Sequence, residues 1–451
     1  MRYVKLAMIG AASAAVVMAL TFLAIRSPEI PSIPAGSAQK FDMSLIKRGA
    51  DLAALGDCNT CHTTEGGKTF AGGRDIPTPF GTINSTNITP DPETGIGNWS
   101  EEAFQRAMRT GVDREGNYLY PAFPYDHFTL VSDNDNSALY AYLMTRTPVR
   151  APTRANDLSF PFNIRPLLAA WNMMFLRKGP FTPDPSRDGE WNRGAYLVEG
   201  IGHCGACHTP RNWLGAEKTR QAFAGGDAEG WHAFTINAAS QAPIPWDADS
   251  LNAYLRQGWH GLHGVARGPM GQVVGNLATV SDQDVKAIAV YVASLMKQPS
   301  GQQRKDDNLL VASNNTSGTG SKPQSAGSQA TAKVESPDDA GAVLYASTCA
   351  PCHDAGRPVP YGGINLALST AVSANDPRNA LRVILDGVPA TSGTRGPIMP
   401  GFSNTLTDQQ VISLAQYIRT RFAQKPRWPN VPDPLRKIRT EAEASTSSTT
   451  R

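Results

Sequence analysis

Cysteine is scarce and none is spare. Of 451 residues only 6 are Cys, and all fall into three copies of one pattern: CNTCH (Cys58, Cys61, His62), CGACH (Cys204, Cys207, His208) and CAPCH (Cys349, Cys352, His353). With every thiol inside a motif, no pair is left for a structural disulfide. An excess of one charge is missing too. The formal net charge of +3 is too small to argue for a nucleic-acid partner or for steering of an anionic substrate. No Ser, His and Asp set and no acid pair is arranged for other chemistry, so the sequence lacks the marks of a hydrolase.

What is present is C-x-x-C-H, the attachment signal for c-type haem. Two thiols add across the vinyl groups, and the adjacent His is held where its imidazole meets the iron. A zinc site would want four N or S ligands from paired motifs, and a thioredoxin-like dithiol would want a βαβ setting. Three copies, each with its His, exclude both. Three covalent haems c are therefore expected, with His62, His208 and His353 as proximal ligands. Thioether haem is assembled outside the cytoplasm. A chain of 451 residues gives a prior of about three domains of ~150 residues each, one per motif, and haem would supply each small core with its apolar centre.

The amino terminus offers the export route. After Arg2 and Lys5 an uncharged run from Leu6 to Ile25 has about the length that spans a bilayer, with no clear A-x-A site closing it. An uncleaved anchor over residues 1–26 is favoured over a cleaved signal, placing the rest on the periplasmic side of the cell inner membrane.

Aligning the motifs exposes a repeat. Ahead of each lies a short helix, with Gly49, Gly194 and Gly341 in matching places; behind each lies another, opened by Ser132, Ser281 or Thr407 as N-cap. Ten residues after each cap stands a Tyr: Tyr142, Tyr291 and Tyr417. Small class I cytochrome c domains cross their first and last helices through such a Gly and aromatic contact, so the expected fold is all-α, three times over.

Such domains carry a Met on the loop before the last helix, where a thioether favours ferrous iron. Met270, eleven residues before Ser281, and Met399, eight before Thr407, fit. In the first repeat the same position is Phe123, nine residues before Ser132, and phenylalanine cannot bind iron. His127 is the expected distal ligand there; Met108, on an amphipathic helix, Met144, beyond the loop, and an open iron are the alternatives. His260 and His263 compete locally with Met270.

From Ile46 to Phe422 the chain resembles the triple-haem cytochrome c subunits of bacterial periplasmic membrane-bound dehydrogenases. TPFGTINSTNITPDPETGIGNWS, LYPAFPY, WNRGAYLVEGIGHCGACHTPRN, FAGG, GPMGQVV and MPGF carry the resemblance. It implies an electron-transfer subunit, not itself an enzyme. Its partners would be a dehydrogenase catalytic subunit, with or without a small iron-sulfur subunit, then ubiquinone or a terminal oxidase. The alcohol and gluconate dehydrogenase members have Met where this chain has Phe123. That departure makes the chain more similar to cytochromes paired with molybdenum-cofactor aldehyde or nicotinate dehydrogenases. A pyrroloquinoline-quinone alcohol or flavin gluconate dehydrogenase partner, and a haem enzyme with an open first haem, stay as alternatives.

The expected boundaries are residues 44–150, 189–297 and 338–425 for the three cytochrome c domains. The segment 151–188 includes SFPFNIRPLLAAWNMMFLRKGPF, which suits the membrane interface or interdomain packing equally. Residues 298–337 read as a flexible linker that lets the third domain move, and 439–451 as a disordered tail.

Overall fold

The computed structural model describes residues 27–34, 40–296, 337–354, 362–390 and 396–449. The anchor expected over 1–26 and nearly all of the expected linker lie outside the described residues. Among the described residues no helix is long and apolar enough to cross a membrane.

The chain divides into two compact units. The first holds the described residues up to Asp188 together with Ala195–Cys204 and Trp213–Ala216. In it α1 (Met43–Leu55) buries Gly49, Leu52, Ala53 and Leu55 and leads into the turn carrying CNTCH. A hairpin of β1 (Asp75–Thr78) and β2 (Gly81–Asn84) follows, extended by β3 (Asp157–Leu158) pairing antiparallel to β2. Helix α2 (Glu101–Thr110) opens where the Ser100 hydroxyl accepts from the Ala103 amide. It stops at Gly111, whose φ of 63° suits glycine best. The single turn α3 (Tyr125–Phe128) precedes α4 (Asp133–Met144), capped by Ser132. Helices α1 and α4 cross at Gly49, where an added Cβ would come within 2.6 Å of the Tyr142 Cβ. Beside that crossing Arg48 grips Asp135 with two parallel bonds of 2.9 and 3.0 Å.

Helix α5 (Leu167–Phe175) has two faces. Trp171 is buried and donates to the Leu214 carbonyl, while Asn172 donates to the Thr110 carbonyl and accepts from the Tyr125 hydroxyl. Leu167, Met173 and Met174 are exposed on the other side, with Phe160 just upstream. Both expected roles therefore have residues to serve them, one face packing within the fold and the other remaining apolar and uncovered.

The second unit repeats the plan twice. Helix α6 (Gly189–Tyr196) contributes Gly189–Gly194 to it. β4 (Gly226–Ala228) and β5 (Trp231–Ala233) form a hairpin, and α7 (Ala248–Gln257) ends at Gly258 with φ of 81°. A two-residue ribbon of β6 (Trp259–His260) and β7 (Gly264–Val265) leads to α8 (Pro269–Leu277) and to α9 (Asp282–Leu295), capped by Ser281. Gly194 meets α9 as Gly49 meets α4, a Cβ added there coming 2.7 Å from the Tyr291 Cβ, and Arg193 grips Asp284 as Arg48 grips Asp135. In the third copy α10 (Pro337–Leu344), α11 (Arg378–Asp386) and α12 (Asp408–Phe422) take these places, and a Cβ on Gly341 would lie 2.7 Å from the Tyr417 Cβ.

Two expectations need correction. The fold is helix-rich but not purely helical, because strands of two to four residues are too short to show alternation in sequence. Residues 439–449 are not a disordered tail: Pro432–Thr449 form α13. Its Leu435 and Ile438 are buried with Val431 and Trp428 in the core around α12, and Arg439 donates to the Leu406 carbonyl at 2.8 Å. Within the second unit the third copy packs on the second. His232 and Asn379 exchange two hydrogen bonds of 2.9 and 2.8 Å, Arg378 pairs with Asp227, and Arg382 donates to the Gly230 carbonyl.

Candidate haem-attachment sites

Each CxxCH closes a helical turn, so the two thiols and the imidazole leave one short stretch of backbone. In all three the His Nδ1 faces a main-chain carbonyl: His62 to Thr86 at 2.7 Å, His208 to Phe234 at 2.6 Å, His353 to Ile364 at 2.9 Å. A carbonyl can only accept, so Nδ1 carries the proton and the Nε2 lone pair is left for a metal. Burial also pushes the His62 and His208 pKa values down, which keeps both rings neutral as a ligand must be. The Cys58 thiol is pushed up to about 12, chiefly by burial, and Cys349 to about 11 for the same reason.

The carbonyls are placed by a local device whose parts have no assigned role in the sequence motifs. In the first two copies the residue after the His is Thr63 or Thr209, whose hydroxyl accepts from the amide of Phe70 or Phe223, each at 3.1 Å. Phe70 and Phe223 take left-handed φ values of 64° and 59°. The chain then turns so that the amides of Gly72 and Gly225 donate to the His62 and His208 carbonyls, both at 2.8 Å. The twice-repeated CHT and FAGG are the sequence signal of this device. In the third copy Gly363 donates to the Cys352 carbonyl, and a Cβ on it would stand 2.5 Å from the His353 Nδ1.

The third site shows what such a pocket accepts. An apolar cavity opens between Cys349, Cys352 and His353 on one side and Met399, Ile384 and Leu414 on the other. Thiols, imidazole and thioether facing one apolar space fit a haem c and its two axial ligands. Met399 is fixed by a bridge in which its amide and carbonyl bond the carbonyl and amide of Val388, at 2.9 and 2.8 Å. Met270 lies not on an extended loop but in the first turn of α8, after Pro269, because proline is well placed to start a helix. One register unites the copies: Phe123, Met270 and Met399 each lie twelve residues beyond the glycine that ends the preceding helix, Gly111, Gly258 or Gly387.

His263, the local competitor of Met270, sits in a distinctive place. It is buried, stacked on Trp246 at 3.5 Å between ring centres, and it lines the cavity of the third motif, with its Nδ1 unpaired. Burial pushes its pKa down to about 3. His127, on α3, has its Nδ1 2.7 Å from the Glu199 carbonyl. Phe123 packs on Phe128, and Met108 is buried on the inner face of α2.

Residues 336–418 match the family model of the cbb3-type cytochrome c oxidase subunit III. The chain is 45% identical over 434 residues to a nicotinate dehydrogenase subunit of Pseudomonas putida, covering 95% of this chain and 35% of that protein, so it spans about a third of that relative's length. It is 36% identical to the fructose dehydrogenase cytochrome subunit of Gluconobacter japonicus, over 84% of this chain and 79% of the other. It is also 36% identical to the cytochrome c subunit of the quinone alcohol dehydrogenase of Gluconobacter oxydans, over 86% and 80%. Helix-rich motifs built to hold haem c through thioethers, and relatives that serve dehydrogenases as their cytochromes, agree: the chain belongs to the family of cytochrome c subunits of dehydrogenase complexes, electron-transfer subunits and not catalytic enzymes.

Proposed function

We propose that this protein carries three haems c in three tandem cytochrome c domains and relays electrons from a periplasmic dehydrogenase catalytic subunit to ubiquinone or another respiratory acceptor. The observation that supports it best is the threefold His–carbonyl anchor beside each CxxC pair. Haem c supplies a one-electron carrier with no chemistry of its own on the substrate. The chain's part is to turn Nε2 of His62, His208 and His353 toward the iron, to bring Met270 and Met399 opposite, and to keep water from the faces.

A molybdenum-cofactor dehydrogenase is the proposed donor. The 45% identity to a nicotinate dehydrogenase subunit and the Phe123 form of the first loop support it. The exposed Leu167, Met173 and Met174 and the apolar run of residues 6–25 support attachment to the inner membrane, periplasmic face outward. Purification from native membranes tests the reading. The expected result is a three-haem pyridine haemochrome count and a co-purifying large subunit that contains molybdenum; two haems or fewer in matured protein, or a flavin or pyrroloquinoline-quinone partner, would sink the corresponding part.

A further inference from the structure

In the first copy a phenylalanine stands at the loop position where the other two carry methionine, and the same repeat carries a second change. The helices α2, α7 and α11 are equivalent, each ending at a positive-φ glycine. In the first two copies an arginine two residues before that glycine donates to two carbonyls ahead of the next helix, Arg109 to Thr129 and Val131, Arg256 to Leu277 and Val280. Three residues before the glycines stand Met108, Leu255 and Ile384, all buried. Ile384 lines the third cavity together with Met399 and His353. Two copies thus pair a loop methionine with a helix aliphatic residue. The first copy has the reverse, a loop Phe123 with a helix Met108.

We propose that Met108 is the sixth ligand of the haem bound at Cys58 and Cys61, the thioether having moved from the loop to the helix. The inference rests on the three-haem reading above. Its rival is His127. The register from helix end to loop is the same in all copies, whereas the spacing from loop to the next cap differs, nine, eleven and eight residues, so His127 has no fixed counterpart. His127 is also only half-buried, on a single turn. Met108 sits on a capped helix whose inner face, Phe104, Ala107 and Met108, matches Ala380, Val383 and Ile384, all on the third cavity wall. A thioether there gives the first haem the same coordination as the others. It is then not the low-potential, bis-imidazole centre that His127 ligation predicts.

Full-length protein with a verified count of three haems is the material to test, so a lower count counts against the three-haem reading and not against this ligand. Oxidised wild type is expected to show three equal shares of the near-infrared sulfur-to-iron charge-transfer band, one share being defined by the loss in Met399→His. Met108→Leu is expected to remove about a third of the band, turn one haem high-spin and let it bind carbon monoxide when reduced. Adding Phe123→Met to that variant is expected to restore the low-spin state, and His127→Leu to leave spin state and band unchanged. Two shares in wild type overturn the proposal even if Met108→Leu fails to fold. In that case, a high-spin haem created by His127→Leu assigns the imidazole, and a high-spin haem already in wild type means an open iron.

Discussion

At the scale of single residues, the carbonyl that faces each proximal His decides what the imidazole can do. Gly363 tests this at the third site. A Cβ there would stand 2.5 Å from the His353 Nδ1, so the ring must give way or the backbone must. Gly363→Ala is expected to keep both thioether bonds, seen as undiminished haem staining. It should also displace the ring enough to raise the high-spin fraction of one haem and to destabilise the domain by about 1–3 kcal/mol, the usual range for overpacking. Unchanged spectra and an unchanged denaturation midpoint would show that the loop adapts. Met399→His is the companion test: imidazole favours ferric iron relative to thioether, so one midpoint potential is expected to fall, measured by spectroelectrochemical titration. The CxxCH residues are legible in the sequence because their chemistry fixes spacing within five positions. Thr63, Thr209, Gly72 and Gly225 recur in the repeated CHT and FAGG, but the repeat does not say what they do. Their motifs mark a family without declaring a role, and only the folded chain shows the hydroxyl and amide bonds.

At the scale of elements, the crossing of first and last helices is the joint of each copy, and it is legible in Gly and Tyr because close helix approach has few solutions. Gly49→Ala places a methyl within 2.6 Å of the Tyr142 Cβ and against the α4 backbone. A loss of about 1–3 kcal/mol in the first copy is expected, read as a lower midpoint for the haem-linked phase of unfolding. An unchanged midpoint would mean the helices can slide apart at no cost. The carboxy-terminal helix is hidden in the sequence for the opposite reason. Its buried contacts, Val431, Leu435 and Ile438, recur at helical spacing but are few, and a Ser- and Thr-rich stretch follows them. Leu435→Ala removes a fully buried side chain and is expected to cost about 2–5 kcal/mol, a difference that chemical denaturation resolves.

At the scale of the whole molecule, the linker composition alone suggests a freely moving third domain. A polar tether sets how far a domain can travel but not where it rests. The resting place is set by Asp227, His232, Arg378, Asn379 and Arg382, whose pairings are non-local and unreadable from one sequence. His232 and Arg378 hold the Asp227 carboxyl at about 2, below its ordinary value. A depressed carboxylate pKa contributes stability above the unfolded value near 3.8 and loses it as pH falls toward the folded one. Docking is therefore expected to weaken between about pH 4 and pH 2. Asp227→Asn should flatten that response, and Arg378→Ala should loosen the domains at neutral pH. Limited proteolysis within residues 297–336 is the measurement, and equal cleavage in all three proteins would discount the contact.

The cavity of the third motif takes part of its wall, His263 with Gly264 and Val265, from the second copy. With a haem at each motif, as proposed, the two centres share that wall, and a rearrangement of it on reduction at one changes the electron affinity of the other by the same amount in the reverse direction. His263→Leu, a change in the second copy, is accordingly expected to shift the midpoint potential of the third haem. A shift of that kind would make the two proposed centres a pair with correlated potentials, tied through one shared wall of side chains.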